Sequence, residues 1–252
     1  MNISVDALVL RAVDYREGDK ILTLLTRQRG RLTVKASGAR RRGSRLASCT
    51  QPLCYSEMAL FEKDGRFTLD EGFVKEQFYG LCSDIEKISL AGYFAQVLMA
   101  EPEDSPGSDA ALRLALNCLY ALDKNIAPQP MVKAAFELRY MSLCGYAPDI
   151  SACSVCGMRG GGGYINLESG QYVCKKCSPS GGYNDVYLDA PALEAARYIL
   201  SCDLKRLFAF RLPGRSMACL AAFAESYLLY RTEQGYNALE FYKSLFKQEE
   251  HI

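Results

Sequence analysis

Cys153-Ser-Val-Cys156 and Cys174-Lys-Lys-Cys177, with 17 residues between the two pairs, constrain the fold of this chain more than any other feature. A Cys-x-x-Cys closes a tight knuckle that aims two sulfurs at one point. Two such knuckles at this separation supply a tetrahedral four-sulfur set. The spacing predicts a structural Zn2+ held by Cys153, Cys156, Cys174 and Cys177. Four sulfur ligands leave no open coordination position, so such an ion would serve the fold and not a reaction. A rubredoxin-like iron uses the same geometry, and an empty site or a redox dithiol are the remaining alternatives. Between the knuckles, Tyr164 to Asn166 and Gln171 to Val173 flank Glu168-Ser169-Gly170, the pattern of a β-hairpin. The stretch 145–183 is too rich in Gly and Cys for helix and reads as one metal module, with Gly160 to Gly163 as a flexible tip. The other seven cysteines, among them Cys82, Cys118, Cys144, Cys202 and Cys219, read as small buried hydrophobes. Reduced thiols imply a cytosolic setting, since disulfides belong to exported chains.

The hydrophobic period divides the chain. Leu32, Val34 and Ala36 alternate with Arg31, Thr33 and Lys35, and Phe67 and Leu69 alternate with Arg66, Thr68 and Asp70, both the period of a strand. Ala7 to Val13, Ile21 to Thr26 and Tyr55 to Phe61 are three more strand-length runs, separated by Gly-Asp, Gly-rich and Asp-Gly turns. Five short strands in this length fit a small barrel, either an OB-fold or an SH3-like one. After Gly80 the period becomes helical. Ser83-x-x-Glu86 is a capping box. Ile85, Ile88, Ala95 and Leu98 form one stripe, Leu112 to Leu122 a second, and Met131 to Leu143 a third. Glu101 to Asp109 is an acidic Pro/Gly/Ser loop. Asp189 with Pro191 opens a further helix, and Met217 to Arg231 is a longer one. The expected fold is α+β: an N-terminal five-stranded barrel over 1–80 that binds nucleic acid, then a mainly helical domain over 81–252 containing the four-cysteine module.

Net charge is +1, but it is unevenly placed: residues 1–80 carry +4 and the remainder −3. No acidic residue lies between Asp19 and Glu57, a window that holds Arg27, Arg29, Arg31, Lys35, Arg40, Arg41, Arg42 and Arg45. A field of one sign attracts a polyanion. Arg31 and Lys35 share a strand face, and Arg40 to Arg45 form a cationic loop with Gly38 and Gly43 to let it bend. Guanidinium forks match phosphate oxygens in pairs. Arg27, Arg31, Lys35, Arg40, Arg41, Arg42 and Arg45 are the candidate nucleic-acid contacts. Tyr15 and Tyr55 are candidate stacking platforms, whereas Phe61 and Phe67 read as core. An ordinary solvated cationic face is the plainer alternative.

Other chemistries are excluded by what the chain does not contain. The single His251 removes Ser-His-Asp hydrolysis and His-ligated catalytic zinc. No P-loop is present, and no His-x-Glu stands by a Cys pair as a zinc deaminase requires. No apolar run approaches the roughly 20 residues that span a bilayer, and the N-terminus lacks a basic secretion signal. The expectation is no enzyme, no small-molecule substrate and no membrane.

Two blocks carry a family resemblance. The first is Ala7-Leu-Val-Leu10, Asp19-Lys-Ile-Leu-Thr23, Gly30-Arg31, Lys35-x-x-Gly38-Ala-Arg40 and Gln51-Pro52. The second is Phe136-Glu-Leu-Arg139, Gly145-Tyr-Ala-Pro-Asp149 and Cys153-x-x-Cys156-Gly157. Together, in this order, they resemble the bacterial RecO family over nearly the whole chain. The resemblance implies an N-terminal OB-fold, a helical body and a zinc module inserted in it. It implies a non-enzymatic recombination and repair mediator that binds single- and double-stranded DNA and anneals complementary strands. It further implies that the protein, with RecR, helps load RecA onto DNA coated by the single-strand binding protein SSB. The setting would be cytoplasmic, at the nucleoid during repair. The acidic SSB C-terminal tail would dock in a basic and apolar groove of the helical body, where Lys133 and Arg139 lie on a suitable helix. A zinc-ribbon RNA-binding or transcription factor would use the same parts for other partners.

Overall fold

The computed structural model describes residues 1–101, 103 and 108–247, the last by its backbone alone. Most of the Glu101 to Asp109 loop, and His251, lie outside the described residues. By packing, the chain forms two compact units: Met1–Leu119 together with the chain from Tyr236 onward, and Tyr120–Gly235.

The first unit is built on five strands: β1 (Asn2–Tyr15), β2 (Asp19–Thr26), β3 (Gly30–Ala36), β4 (Tyr55–Lys63) and β5 (Arg66–Glu76). They close into a barrel in the order β1-β2-β3-β5-β4. All neighbours are antiparallel except β3 and β5, which pair in parallel at Val34↔Phe67 and Lys35↔Thr68. Consecutive antiparallel strands closed by one parallel seam give the OB connectivity, which separates it from the SH3-like alternative. Strand β1 serves two neighbours: Asn2 to Leu8 pair with β4, and Ala7 to Tyr15 with β2. A register shift between Val9 and Arg11 lets the long strand bend from one to the other. The period-two reading of β3 holds, with Leu32, Val34 and Ala36 buried and Thr33 exposed. Val5, Val9, Leu22, Leu24, Met58 and Leu60 fill the barrel with them. Phe61 departs from its expected core position. It points outward, 46% exposed, because Leu60 takes the inward place beside it.

Helices α1 (Ile85–Leu98) and α2 (Asp109–Asp123) follow, and α6 (Asn237–Lys247) returns to pack on α1. The capping residue of α1 is Asp84, not Ser83. Its Oδ1 accepts from the amides of Glu86 and Lys87 at 3.0 and 3.2 Å. A 3₁₀ turn at Tyr79–Leu81 precedes the helix, and Ser83 spends its hydroxyl on the Gly80 carbonyl at 3.0 Å.

The second unit contains α3 (Gln129–Leu143), α4 (Ala190–Ser201) and α5 (Gly214–Thr232), packed on one another. Asp189 caps α4 as expected, accepting from Ala192 N at 2.9 Å with Pro191 in the first turn. Strands β6 (Gly163–Asn166) and β7 (Tyr172–Cys174) form the expected hairpin between the knuckles. A third strand, β8 (Asp185–Leu188), pairs on the other edge of β6 and leans on α5. The two last glycines of the 160–163 run are packed, not a loose tip. A Cβ on Gly163 would run into the Val173 carbonyl and the Tyr172 ring, and one on Gly162 would stand 2.9 Å from the Leu188 carbonyl. The Tyr172 hydroxyl in turn donates to the Gly161 carbonyl at 3.0 Å.

Candidate functional site

Two places concentrate charge-bearing or metal-ligating chemistry. In the second unit, the four sulfurs of Cys153, Cys156, Cys174 and Cys177 lie within 4.8 Å of one another. Each knuckle is closed by its own backbone: Gly157 N donates to Cys153 O at 2.8 Å, and Cys177 N to Cys174 O at 2.9 Å. Gly157 takes φ +70°, which turns the chain away from the first knuckle and is strained for any side-chain residue. The hairpin then carries the second knuckle to the first, leaving Cys156 Sγ 3.8 Å from Cys174 Sγ.

The electrostatics of this cluster are those of a site that needs a cation. Burial works against a Cys153 thiolate, but amides of Cys174, Cys156 and Val155 point at its sulfur and bring the thiol down to about 6. The Cys174 amide is 3.4 Å away. Cys177 is pushed the other way, up to about 12, by its contacts with the sulfurs of Cys156 and Cys174. Four sulfurs this close cannot all ionise without a positive charge among them. The donor set fits a soft ion of tetrahedral preference. The remaining cysteines only partly match their expected burial. Cys49, Cys54 and Cys118 are buried, but Cys82 and Cys144 are exposed. Both stand just beyond ordered elements, Cys82 after the 3₁₀ turn and Cys144 at the end of α3.

The second place is the basic window of the barrel. Its acid-free stretch of sequence is not acid-free in space. Arg27 pairs with Asp6 at 3.3 Å and Asp109 at 3.0 Å, and Arg31 with Glu103 at 3.2 Å. Lys35 pairs with Asp19 at 3.0 Å, and Arg40 with Asp14 at 3.2 Å. Asp19 also accepts from the Gly38 amide at 2.8 Å, and that bond, with the Lys35 ammonium, holds its carboxyl below the usual range. This carboxylate ties the start of the loop to the end of β3. Beyond it the loop is a run of turns, with Arg41 N on Gly38 O and Ser44 N on Arg41 O, both at 3.0 Å. Arg41, Arg42 and Arg45 are exposed, and among the described residues no carboxylate lies within salt-bridge distance of them. The Arg41 side chain lies along the turn before β2, where a Cβ on Gly18 would stand 3.3 Å from its Nε.

Tyr15 is 40% exposed beside the Arg16 guanidinium, 5.2 Å from its ring centre, and Tyr55 is half-buried under Lys75. Phe67 is half-buried against the barrel core, with the Arg29 guanidinium over its ring. On the barrel and the 3₁₀ turn after it, the exposed aromatics Phe73 and Tyr79 escape sequence reasoning, since neither stands in a periodic run with cations. Lys133 and Arg139, which lie on α3, both make contacts within the second unit. The Lys133 ammonium is buried, 2.7 Å from Glu137 and 2.8 Å from Glu225. Arg139 donates to the Leu200 carbonyl at 2.8 Å.

Among the described residues no helix is long and apolar enough to cross a membrane. Comparison with known proteins then assigns nearly the whole chain. Residues 1–78 match the family model for the Recombination protein O N terminal, and residues 82–240 that for the Recombination protein O C terminal. The chain is 29% identical to the DNA repair protein RecO of Acetivibrio thermocellus, covering 96% of this chain and 97% of that one. It is 30% identical to the DNA repair protein RecO of Symbiobacterium thermophilum over 96% and 97% of the two chains. For Heliobacterium modesticaldum the figure is 32% over 90% and 84%. With an OB barrel, a helical body and a four-cysteine cluster in the expected order, the chain belongs to the RecO family of DNA repair proteins.

Proposed function

We propose that this protein is a non-enzymatic recombination mediator. It binds single- and double-stranded DNA, anneals complementary strands and, with RecR, helps load RecA onto SSB-coated DNA in the cytoplasm. The observation that carries this reading is the loop at 40–45 on an OB barrel, where Arg41, Arg42 and Arg45 are exposed and, among the described residues, no carboxylate lies within salt-bridge distance of them. Two strands repel through their phosphates, and a cationic surface that neutralises both raises their encounter rate without any reacting side chain. Arg27, Arg31, Lys35 and Arg40 would join by exchanging a carboxylate for a phosphate, so they contribute less than the three unanswered arginines. Contacts of this kind orient the strand and carry no base information. Residues 1–80 act as the nucleic-acid-binding domain and 81–252 as the domain that carries the metal module.

Cys153, Cys156, Cys174 and Cys177 would hold a structural Zn2+, whose charge keeps the four thiolates together and the hairpin closed. The acidic SSB tail docks on the helical body at cations other than the buried Lys133. The test is strand annealing with complementary oligonucleotides, bare and SSB-coated, with RecR added in a second arm. Faster annealing on both templates is expected. A chain that leaves annealing at the uncatalysed rate on both would overturn the reading and favour an RNA-binding or transcription role.

A further inference from the structure

A second acid-free window lies in the second unit. Between Asp203 and Glu225 the chain carries Lys205, Arg206, Arg211 and Arg215 and no acidic residue. All four are exposed, and among the described residues none has a carboxylate within salt-bridge distance. Lys205 and Arg206 lie on a 3₁₀ turn, Leu204–Arg206, which with an irregular stretch through Arg211 joins α4 to α5, and this segment is pinned. Leu207 is fully buried. The Arg206 carbonyl accepts from the Tyr198 hydroxyl at 2.7 Å and from the Ala209 amide at 2.9 Å. The Phe210 ring stands edge-on to Tyr198 with centroids 5.6 Å apart. A cationic segment already held in place loses little conformational freedom when an anion arrives.

We infer that Lys205, Arg206, Arg211 and Arg215 form a second phosphate-binding strip, separate from the barrel loop, so that each unit holds its own stretch of nucleic-acid backbone. The inference rests on the DNA-binding reading above and adds a second site to it. Four cations spread along positions 205–215 suit a ligand whose charge repeats along its length. Three are arginines, whose planar forks pair with phosphate oxygens. An acidic peptide is the other class of anion to consider. The groove beside the strip, lined by Pro191, Ala195, Phe210 and Leu212, would take an apolar end residue. Only Arg211 of the four lines that groove, however; its other charges, Glu194 and Arg197, pair with each other, and Lys205, Arg206 and Arg215 lie outside its lining. With a cationic surface on each unit, one strand can be held while its complement is gathered.

The experiment compares the unmodified full chain with two multiple variants, K205A/R206A/R211A/R215A and R41A/R42A/R45A. Binding of one labelled single-stranded oligonucleotide is titrated with salt, and annealing to its complement is timed. The strip variant is expected to flatten the slope of log affinity against log salt by about 2 to 3, at roughly 0.7 per phosphate released, and to slow annealing, with residual binding through the barrel loop. An unchanged slope and annealing rate in the strip variant, with the loop variant defective, overturns the strip and leaves the DNA-binding reading intact. An unmodified chain that binds no oligonucleotide overturns both. Loss of binding to a labelled Asp-rich peptide ending in Phe, with the DNA slope unchanged, makes the strip a protein dock and overturns the proposal. If the fourfold variant fails to fold, K205Q/R215Q at two exposed positions gives the same readout, with an expected flattening of about 1.

Discussion

In the barrel, four cations of the acid-free window recruit carboxylates from elsewhere in the sequence: Asp6 and Asp109 for Arg27, Glu103 for Arg31, Asp19 for Lys35 and Asp14 for Arg40. In the second unit the opposite holds at two points. Among the described residues the cations of positions 205–215 have no carboxylate within salt-bridge distance, and the four cysteine sulfurs crowd within 4.8 Å of one another. A linear run of one sign therefore says little about binding until the fold has been consulted. Charge that the fold has already neutralised must be released before a ligand can use it. Charge left unanswered marks where something else is to bind.

The largest effect expected from this contrast is at the cysteines. Cys174→Ser should abolish metal retention and unfold the module, since binding of a structural zinc contributes on the order of 10 kcal/mol to such a fold. Metal analysis together with hydrogen exchange over 145–188 would read both. A Cys174→Ser chain as protected as the parent would mean that the sulfur cluster is stable unaided. Next comes Lys133, the most deeply buried of the ion-paired cations. Lys133→Met removes the ammonium that Glu137 and Glu225 share and should cost about 3–5 kcal/mol by denaturant unfolding. A neutral result would show that the helices tolerate the loss of this ammonium. The barrel then offers an internal comparison. Arg41, Arg42 and Arg45 changed together to Ala should flatten the salt slope of single-strand binding by about 2, with the thermal midpoint nearly unchanged. Arg27, Arg31 and Lys35 changed together should move the slope by less than half as much. Equal slopes for the two sets would erase the distinction between answered and unanswered cations.

The smallest effect concerns Asp19. Its carboxyl lies below its ordinary value in the folded chain, first through the Gly38 amide and then through Lys35. A depressed carboxylate contributes stability above its unfolded value near 3.8, and that contribution is lost as pH falls through the folded value. Thermal midpoints measured from neutral pH to below 3.8 should therefore drop slightly more for the parent than for Asp19→Asn. Parallel curves would mean that the tie to the loop adds nothing to the folded state.

Much of this was legible from residues alone. Strand β3 announces itself by strict alternation, and α4 by Asp189 with Pro191. The hairpin between the knuckles is fixed by its turn residues, and the cysteine spacing foretells a cluster that the fold indeed assembles. What escaped has physical causes. Strand β8 is four residues long and half-buried, too short for a period to register, and it exists because β6 offers a free edge. The cap of α1 moved from Ser83 to Asp84 because a preceding turn claimed the serine hydroxyl. The ion pairs of Arg31 and Arg27 depend on Glu103 and Asp109, dozens of residues away, and no local pattern encodes them. Lys133 looked like a surface cation until α5 brought Glu225 to it.

The parallel seam of the barrel has a consequence for how the molecule breathes. Every other seam is a long antiparallel ladder, whereas β3 and β5 share only Val34↔Phe67 and Lys35↔Thr68. Parting them breaks the fewest hydrogen bonds, so the cylinder unzips there first and amide exchange along this edge should outpace the rest of the sheet. Lys35 sits on that edge, and Asp19 bridges from it to the arginine loop. A polyanion gripping Lys35 and the loop together would clamp the barrel at its easiest opening. The seam would then become slower to exchange on binding, while the long ladders, already near their limit, would barely change.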